Sequence, residues 1–296
     1  MVARKGVEEL TWIIYTAVSA VTLSIGLVLY KMNLKTRFAY QNMILTCGCI
    51  SVIALIGAFV DGSIGNWADV TNVTLLYLLV SAVLFAGFLF CFNSACSHGE
   101  MAKIIPFLSL IAILSFGFTL VIHQPRAVLW KTLSSVLLIV GIVILCLQKD
   151  KYKGSKWLLY SIPALIFLFG KYLFDSRYLP SGTISEPLAA FLQMLLSAGI
   201  LLCMCTVKNH LDLFGKMEKK DYLFAVMPGI LFGIALLFHE RASSHTEAQV
   251  YRPIYCICLP VTVLAERIKK KKKTTFLLVA GLILAVTGLF GMMLAI

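Results

Sequence analysis

The segment Ala95–Pro106, with the sequence ACSHGEMAKIIP, returns 147 residues later as Ala242–Pro253, ASSHTEAQVYRP. Five of the twelve positions are identical: Ala95, Ser97, His98, Glu100 and Pro106 coincide with Ala242, Ser244, His245, Glu247 and Pro253. The same shift pairs Leu84 with Leu231, Leu89 with Leu236 and Gly141 with Gly288 in the neighbouring apolar segments. We therefore interpret the chain as a duplication, with one repeat over residues 1–150 and a second over residues 151–296.

The composition indicates that most of the chain lies in an apolar solvent. Of the 296 residues, 60% are hydrophobic and 14% are charged, whereas soluble domains average about 25% charged residues. Apolar runs of about twenty residues, long enough to span a bilayer as a helix, recur from Leu10 onwards. These runs are continuously apolar rather than alternating, which excludes a transmembrane β-barrel. The sequence predicts an all-α integral membrane protein.

Charged and turn-rich segments divide the chain into ten predicted transmembrane helices. They are Leu10–Tyr30, Phe38–Val60, Asn72–Asn93, Glu100–Ile122, Leu129–Leu147, Trp157–Phe174, Ser185–Val207, Tyr222–Arg241, Glu247–Ala265 and Thr275–Ala295. The first run lacks a small-residue cleavage site and continues into Lys31, so we expect a retained helix rather than a signal peptide. Because each half has an odd number of spans, five, the second half is expected to cross the bilayer upside down. The predicted fold is two inverted five-helix repeats.

Basic residues concentrate in the loops that follow odd-numbered spans. Those loops hold Lys31, Lys35, Arg37, Lys103, Lys149, Lys151, Lys153, Lys156, Lys208, Lys216, Lys219, Lys220, Arg267 and Lys269–Lys273, whereas the other side holds Arg4, Lys5, Arg126, Arg177 and Arg241. The positive-inside rule then places the odd loops in the cytoplasm and both termini outside. The net charge of +12 thus reflects topology rather than a nucleic-acid partner, and the Lys269–Lys273 run is expected near anionic lipid.

Nine cysteines are present, nearly all within apolar runs. Three Cys-x-Cys pairs suggest metal binding at first sight, but residues two apart on a helix point to nearly opposite sides. We expect buried free thiols, no disulfide framework, no metal site and no cofactor.

The last two spans resemble those of the drug/metabolite transporter (DMT) superfamily, and within it the EamA-type ten-helix carriers. The segment Pro260–Arg267, PVTVLAER, is similar to the family's proline, apolar stretch and terminal Glu-Arg, and Gly281-x6-Gly288-Leu289 follows in the final helix. The first half has His123-Gln124-Pro125-Arg126 where a Glu-Arg would stand, so the signature occurs once. The resemblance implies a carrier of small organic metabolites or drugs that works by alternating access.

Polar side chains inside the spans are the candidate substrate-binding residues, because such groups are costly in hydrocarbon. Lys171 and Asp175 are one turn apart and can pair on one face of the sixth helix. Lys171 could bind an anionic group of the substrate, form a structural ion bridge or snorkel to the interface. Arg252 could contact a carboxylate or phosphate, or instead join helices eight and nine through Glu240 or Glu247. The full candidate set is Lys171, Arg252, Glu240, Asn93, Gln193 and Gln41.

His98 and Glu100, with their repeats His245 and Glu247, precede the fourth and ninth spans. The simpler interpretation is helix capping, because a carboxylate in the first turn complements the helix dipole. The alternative is a pair of gating or proton-coupling groups at opposite membrane faces, because histidine titrates near neutrality.

These features favour a transporter of a small-molecule substrate in a lipid bilayer, with a proton as the candidate coupling ion. No His-Glu-x-x-His or Gly-x-Ser-x-Gly motif occurs, so a membrane-embedded enzyme is the less favoured alternative. A receptor or structural protein without flux is the other. Short loops and the lack of an organelle address favour a bacterial inner membrane over a eukaryotic endomembrane. Monomer and homodimer are both compatible with the sequence.

Overall fold

The computed structural model describes residues 2–32, 34, 36–123, 128–147, 156–178, 184–243, 251–269, 271 and 275–294. Over these residues the chain is helical and contains no β-strand. The α-helices are α1 Val2–Met32, α2 Ala39–Val60, α3 Asn72–His98, α4 Met101–Leu108, α5 Ile111–His123, α6 Val128–Cys146, α7 Lys156–Tyr178, α8 Glu186–Val207, α9 Lys219–Ser243, α10 Tyr251–Lys269 and α11 Phe276–Leu294. Short 3-10 helices cover Thr36–Phe38, Ser63–Asp69 and Leu211–Lys216.

Eight helical segments are long and apolar enough to cross a membrane. They are Ile14–Met32, Ala39–Val60, Asn72–His98, Met101–Phe118, Val128–Cys146, Lys156–Tyr178, Glu186–Val207 and Lys219–His239. Phe276–Met292 in α11 is a shorter apolar helix, and α10, which contains Arg252, Glu266 and Arg267, is not among the eight. The prediction of an α-helical, multi-pass membrane protein is therefore confirmed.

The predicted fourth span, Glu100–Ile122, is two helices rather than one. Pro106 has no N–H to donate, and the backbone tightens after it, with Ser109 N–H donating to the Pro106 carbonyl at 3.1 Å. Leu110 and Ala112 likewise donate to carbonyls three residues back. The expectation of a continuous helix was wrong here, although α4 and the first part of α5 together form one candidate span.

Six helices extend past their predicted ends, to Met32 in α1, His98 in α3, His123 in α5, Tyr178 in α7, Ser243 in α9 and Lys269 in α10. Hydropathy marks only the apolar part of a helix, whereas the helical backbone continues through polar residues because its hydrogen bonds are internal. His98 consequently ends α3, whereas the sequence pattern placed it as the residue leading into the next helix.

Helices from the two halves pack on one another throughout the described chain. Helix α1 packs on α9 and α10, α3 on α7 and α8, α2 on α8 and α9, and α6 on α11. Four apolar clusters result among the described residues, and the two largest are centred on α1, α3, α4 and α7 and on α4, α6, α10 and α11. The core of the molecule is thus formed between the halves rather than within each half.

Helices α6 and α11 approach closely through small residues. A Cβ atom placed on Gly141 would lie 2.5 Å from the Ala285 nitrogen, and one on Gly288 would lie 2.5 Å from the Leu138 nitrogen. Lower residue numbers of α6 face higher numbers of α11, so the two helices are antiparallel. Leu138 and Ala285 are 147 residues apart, as are Gly141 and Gly288, so that shift exchanges the two contacts.

Because α6 and α11 approach so closely, we expect one added side chain between them to lower the stability of the protein strongly. We expect Gly288→Val to lower the free energy of unfolding by about 3 kcal/mol, the upper end for overpacking, because the added methyl groups meet backbone atoms that cannot rotate away. Thermal unfolding in detergent would measure the loss. Gly199→Val is the matched control, since a Cβ at Gly199 meets nothing within 4 Å. Equal stability of the two variants would contradict the packing.

Candidate functional site

Lys171 and Asp175 form an ion pair on α7. Lys171 Nζ lies 2.5 Å from Asp175 Oδ2, and their side chains are 18% and 25% exposed. The predicted pairing on one helix face is therefore confirmed, and the lysine does not extend alone to the interface. An opposite charge in contact offsets much of the cost of each charge in an apolar surrounding.

The Asp175 carboxylate is also held by the neighbouring helices. Ser81 on α3 donates its hydroxyl proton to Asp175 Oδ1, and Gln193 on α8 donates from Nε2 to the Ser81 hydroxyl oxygen. Ser197, one turn after Gln193, donates to the Ala82 carbonyl at 3.3 Å. A chain of polar groups thus joins α7, α3 and α8, and the carboxylate accepts from both a cation and a hydroxyl.

Aromatic rings surround this polar chain. The Phe85 ring centroid lies 6.0 Å from Lys171 Nζ, at the limit of a cation–π contact. Tyr77, Phe174 and Tyr178 cluster at the same end of α3 and α7, with ring centroids 4.8 Å apart for Phe174 and Tyr178 and 5.3 Å for Tyr77 and Tyr178. The ion pair therefore lies near aromatic side chains of α3 and α7.

One face of α7 is fully buried in the first half of the helix and partly exposed near its end. Trp157, Ser161 and Ala164 are 8%, 0% and 0% exposed, and helical periodicity puts Lys171 and Asp175 on the same face. The ion pair is therefore on the face of α7 that is packed against the rest of the molecule at Ala164, and both of its side chains keep partial exposure.

At the other end of the bundle, polar contacts join helix ends both within the first half and between the halves. Glu266, buried on α10, accepts a hydrogen bond from the Ala102 backbone N–H at the start of α4, at 3.0 Å. Lys31 Nζ, at the end of α1, donates to the Gly99 carbonyl at 2.8 Å and also to the Cys96 carbonyl. Helix α10 is joined to α4 in this way, and α1 is joined to the end of α3.

Glu266 takes the capping role that the sequence assigned to Glu100. Glu100 occupies the N-cap position of α4, but its side chain makes no capping hydrogen bond. Glu100 thus stands at the helix start, as the capping interpretation predicts, and the first turn of α4 donates a hydrogen bond to the buried carboxylate of Glu266. The acidic residue of the Glu-Arg signature therefore connects the halves at this end.

The remaining candidates have separate surroundings. Asn93 Oδ1 accepts from the Tyr30 hydroxyl at 3.0 Å, and Gln41 Nε2 donates to the His210 carbonyl at 2.6 Å. His98 Nδ1 lies 2.8 Å from the Ser94 carbonyl oxygen, and its ring stacks on Tyr160 with centroids 5.2 Å apart. Of the predicted binding residues, the structure brings Lys171 and Gln193 into one network and leaves Asn93 and Gln41 outside it.

Four predicted residues fall partly or wholly outside the described part. His245 and Glu247 lie outside the described residues. Glu240 and Arg252 are in α9 and α10, but their side chains are outside it as well.

Another charged pair joins the ends of α2 and α9. Arg241 Nη2 contacts Asp61 Oδ1 at 2.5 Å, joining the ends of α9 and α2 beside a cavity of 370 Å³ that Glu186 also lines. The hydrogen bond to Asp61 raises the pKa of the Arg241 guanidinium above its ordinary value. Because both side chains are substantially exposed, we expect this pair to contribute little to stability.

Sequence reasoning missed Ser81, Phe85 and the connecting role of Glu266. A serine in an apolar span commonly bonds to its own helix backbone, and nothing in the sequence near Ser81 distinguishes it from Ser94 or Ser161, which do so. The sequence signal for Glu266 was its place in the Glu-Arg signature, and that signature does not indicate which residue the carboxylate contacts.

No family model and no curated protein matches the chain. Solved structures do match. One of them, described only as "Crystal structure of protein", has a TM-score of 0.70 and 13% sequence identity, over 95% of this chain and 96% of that chain. At this identity the likeness shows the fold alone: the chain as a whole has an arrangement of helices found in a solved structure.

Proposed function

We propose that this chain is a secondary transporter, related to the EamA-type carriers of the DMT superfamily, that moves a small organic solute by alternating access. Its ten spans would form two inverted five-helix repeats, with α4 and α5 together as the fourth span. The observation that carries the proposal is that the 147-residue shift exchanges the contacts between the halves.

The exchange extends beyond α6 and α11. Ser19 on α1 donates to the Ala235 carbonyl on α9, and a Cβ on Gly87 of α3 would lie 3.0 Å from the Phe167 ring of α7. Adding 147 to 87 gives 234, and subtracting 147 from 167 gives 20, which are the neighbours of Ala235 and Ser19. Contacts that repeat in this manner are expected of two halves related by a twofold axis.

The directions of the packed helices also support ten alternating crossings. Helices α2 and α9, the second and eighth spans, are parallel, since Gly229 faces Cys49 and Gly233 faces Ile53. Helices α1 and α9, the first and eighth, are antiparallel, as are α6 and α11. In a chain whose spans alternate in direction, an even-numbered span and an odd-numbered span run in opposite directions. Two even-numbered spans, or two odd-numbered spans, run in the same direction.

Such a molecule has two nearly equivalent packings, one closed at each end. In the packing described here, polar contacts join the helix ends where α4 begins and α10 ends, on the side that the basic residues assign to the cytoplasm. We propose that it is the outward-open state, with Lys171 and Asp175 at the solute site and both termini outside. A bacterial inner membrane is the proposed location, and no enzymatic step is needed.

Counterflow in proteoliposomes tests the transport function. Purified protein should exchange at least one labelled solute from a panel of amino acids, sugar derivatives, organic anions and cationic dyes. Protein-free liposomes are the control. Chemical turnover of a solute on one side without movement across the bilayer would favour an enzyme and contradict the proposal.

Cysteine labelling tests the inverted arrangement separately. In a cysteine-free background, Asn66→Cys and Arg126→Cys should react with an impermeant maleimide from the outside, because both residues follow even-numbered spans. Asn209→Cys, which follows an odd-numbered span, is the matched control and should react from the cytoplasmic side. Labelling of residues 66 and 126 from different sides would exclude the proposed topology.

A further inference from the structure

We infer that a groove on α8, lined by residues of that helix from Leu195 to Lys208, binds one phospholipid with an anionic headgroup. The acyl chain would lie along α8 and the phosphate at Lys208. The α8 groove has a volume of 620 Å³ and shares no lining residue with the polar chain around Asp175. The inference depends on the membrane location of the chain and not on the transport function, so either can fail without the other.

Two rows of side chains on α8 form the groove. They run at four-residue spacing, one from Leu195 to Val207 and the other from Leu196 to Lys208. Residues four apart lie on one face of a helix. Gly199 belongs to the first row, and a Cβ atom placed on it would meet nothing within 4 Å. The missing side chain therefore leaves space in that row. Helices α2 and α3 complete the lining with Tyr40 and Leu79.

The lining of the groove requires an apolar occupant. Apart from Lys208, every lining residue belongs to one of three candidate membrane spans. Leu195 and Val207 are 50% and 80% exposed, so the groove opens toward the hydrocarbon of the bilayer. At 1.5 Å per residue, the stretch between these two residues is about 18 Å long. One leaflet of the hydrocarbon core is about 15 Å deep, so the groove matches the length of a single acyl chain.

Lys208 lies at the headgroup end of the groove. It is the C-cap of α8 and the first residue after the span. Its side chain is exposed and forms no ion pair with the described residues, whereas Lys216 at the same end is paired with Asp212 at 2.7 Å. In the proposed topology this end faces the cytoplasmic leaflet, where anionic lipids attract basic residues. A lipid phosphate would compensate the charge of Lys208.

A second copy of the chain fits the groove less well than a lipid. Homodimers are usually related by a twofold axis, and both copies must cross the bilayer in the same direction. The two Lys208 side chains would then lie at the same membrane face beside one interface, where like charges repel. An anionic lipid carries the opposite charge.

Native mass spectrometry of the full chain in detergent tests the headgroup. Phosphatidylglycerol and phosphatidylethanolamine with the same palmitoyl and oleoyl chains would be added in turn. We expect phosphatidylglycerol to bind about fivefold more tightly, the effect of one lysine near an anionic surface, and Lys208→Gln to remove this preference. Lys216→Gln removes a charge from the same end outside the groove and should leave the preference in place. Equal loss of preference in both variants would indicate general surface charge and overturn the inference.

A second pair of variants tests the groove itself. Gly199→Leu places a side chain in the open space and should weaken binding of both lipids at least about fivefold, because the acyl chain loses apolar contact there. Gly117→Leu is the matched control, since Gly117 is an exposed residue of another span at which a Cβ likewise meets nothing within 4 Å. Unchanged lipid binding in Gly199→Leu would overturn the inference. So would a wild-type dimer that Gly199→Leu converts to a monomer, because the occupant would then be a second copy.

Discussion

Lys171→Met should destabilise the protein more than the double variant Lys171→Met/Asp175→Asn. Removing one partner leaves a charge without compensation in a largely buried place, which costs about 3 kcal/mol, whereas removing both charges leaves only the hydrogen bonds to Ser81 and is close to neutral. Thermal unfolding in detergent of the wild type, the two single variants and the double variant gives the coupling energy as a double-mutant cycle.

The exposed pair provides the comparison for this cycle. Asp212 and Lys216 have the same spacing on a 3-10 segment outside the spans, and the hydrogen bond from Lys216 lowers the pKa of the Asp212 carboxyl. Water screens that pair, so we expect Lys216→Met to leave the melting temperature unchanged within error. If Lys171→Met were no more harmful than Lys216→Met, the α7 pair would be solvated like a surface pair, and the site would need to be placed elsewhere.

In the proposed alternating-access mechanism, Glu266→Ala should open the end of the bundle at which α10 ends, the proposed cytoplasmic end. The variant removes a buried, charge-assisted hydrogen bond between α10 and α4, worth about 1.5–3 kcal/mol. A shift of that size changes the ratio of two conformations by about 10- to 100-fold. Because this bond joins the halves at that end, its loss should favour the inward-open packing of the proposed mechanism.

Alkylation of Cys96 reports this shift. Cys96 is fully buried near the end of α3, and its own backbone carbonyl accepts a hydrogen bond from Lys31. A membrane-permeant maleimide should label it about tenfold faster or more in Glu266→Ala than in the wild type. Glu218→Ala removes an exposed carboxylate on the same predicted side and is the control. Equal labelling rates in the two variants would mean that Glu266 supports only the local structure of α4.

The duplication seen in the sequence carries over only in part to the polar residues. Gly141 and Gly288 have equivalent contacts, as their alignment predicts. Under the 147-residue shift, Glu266 aligns with Thr119, since 266 minus 147 is 119. The carboxylate that accepts from Ala102 therefore has no carboxylate at the aligned position in the first half.

The sequence by itself determined that this protein is an α-helical membrane protein. It also determined the approximate positions of the apolar helices and the pairing of Lys171 with Asp175. These features depend on composition over about twenty residues or on the spacing of one helical turn, and so they are local. Only the tertiary structure decided that Ser81 and Gln193 hold Asp175 and that Glu266 reaches Ala102. Ser81 is 94 residues from Asp175 and 112 from Gln193, and Ala102 is 164 from Glu266. Such contacts depend on the rotation and depth of each helix against its neighbours, which interlocking side chains set across the whole bundle.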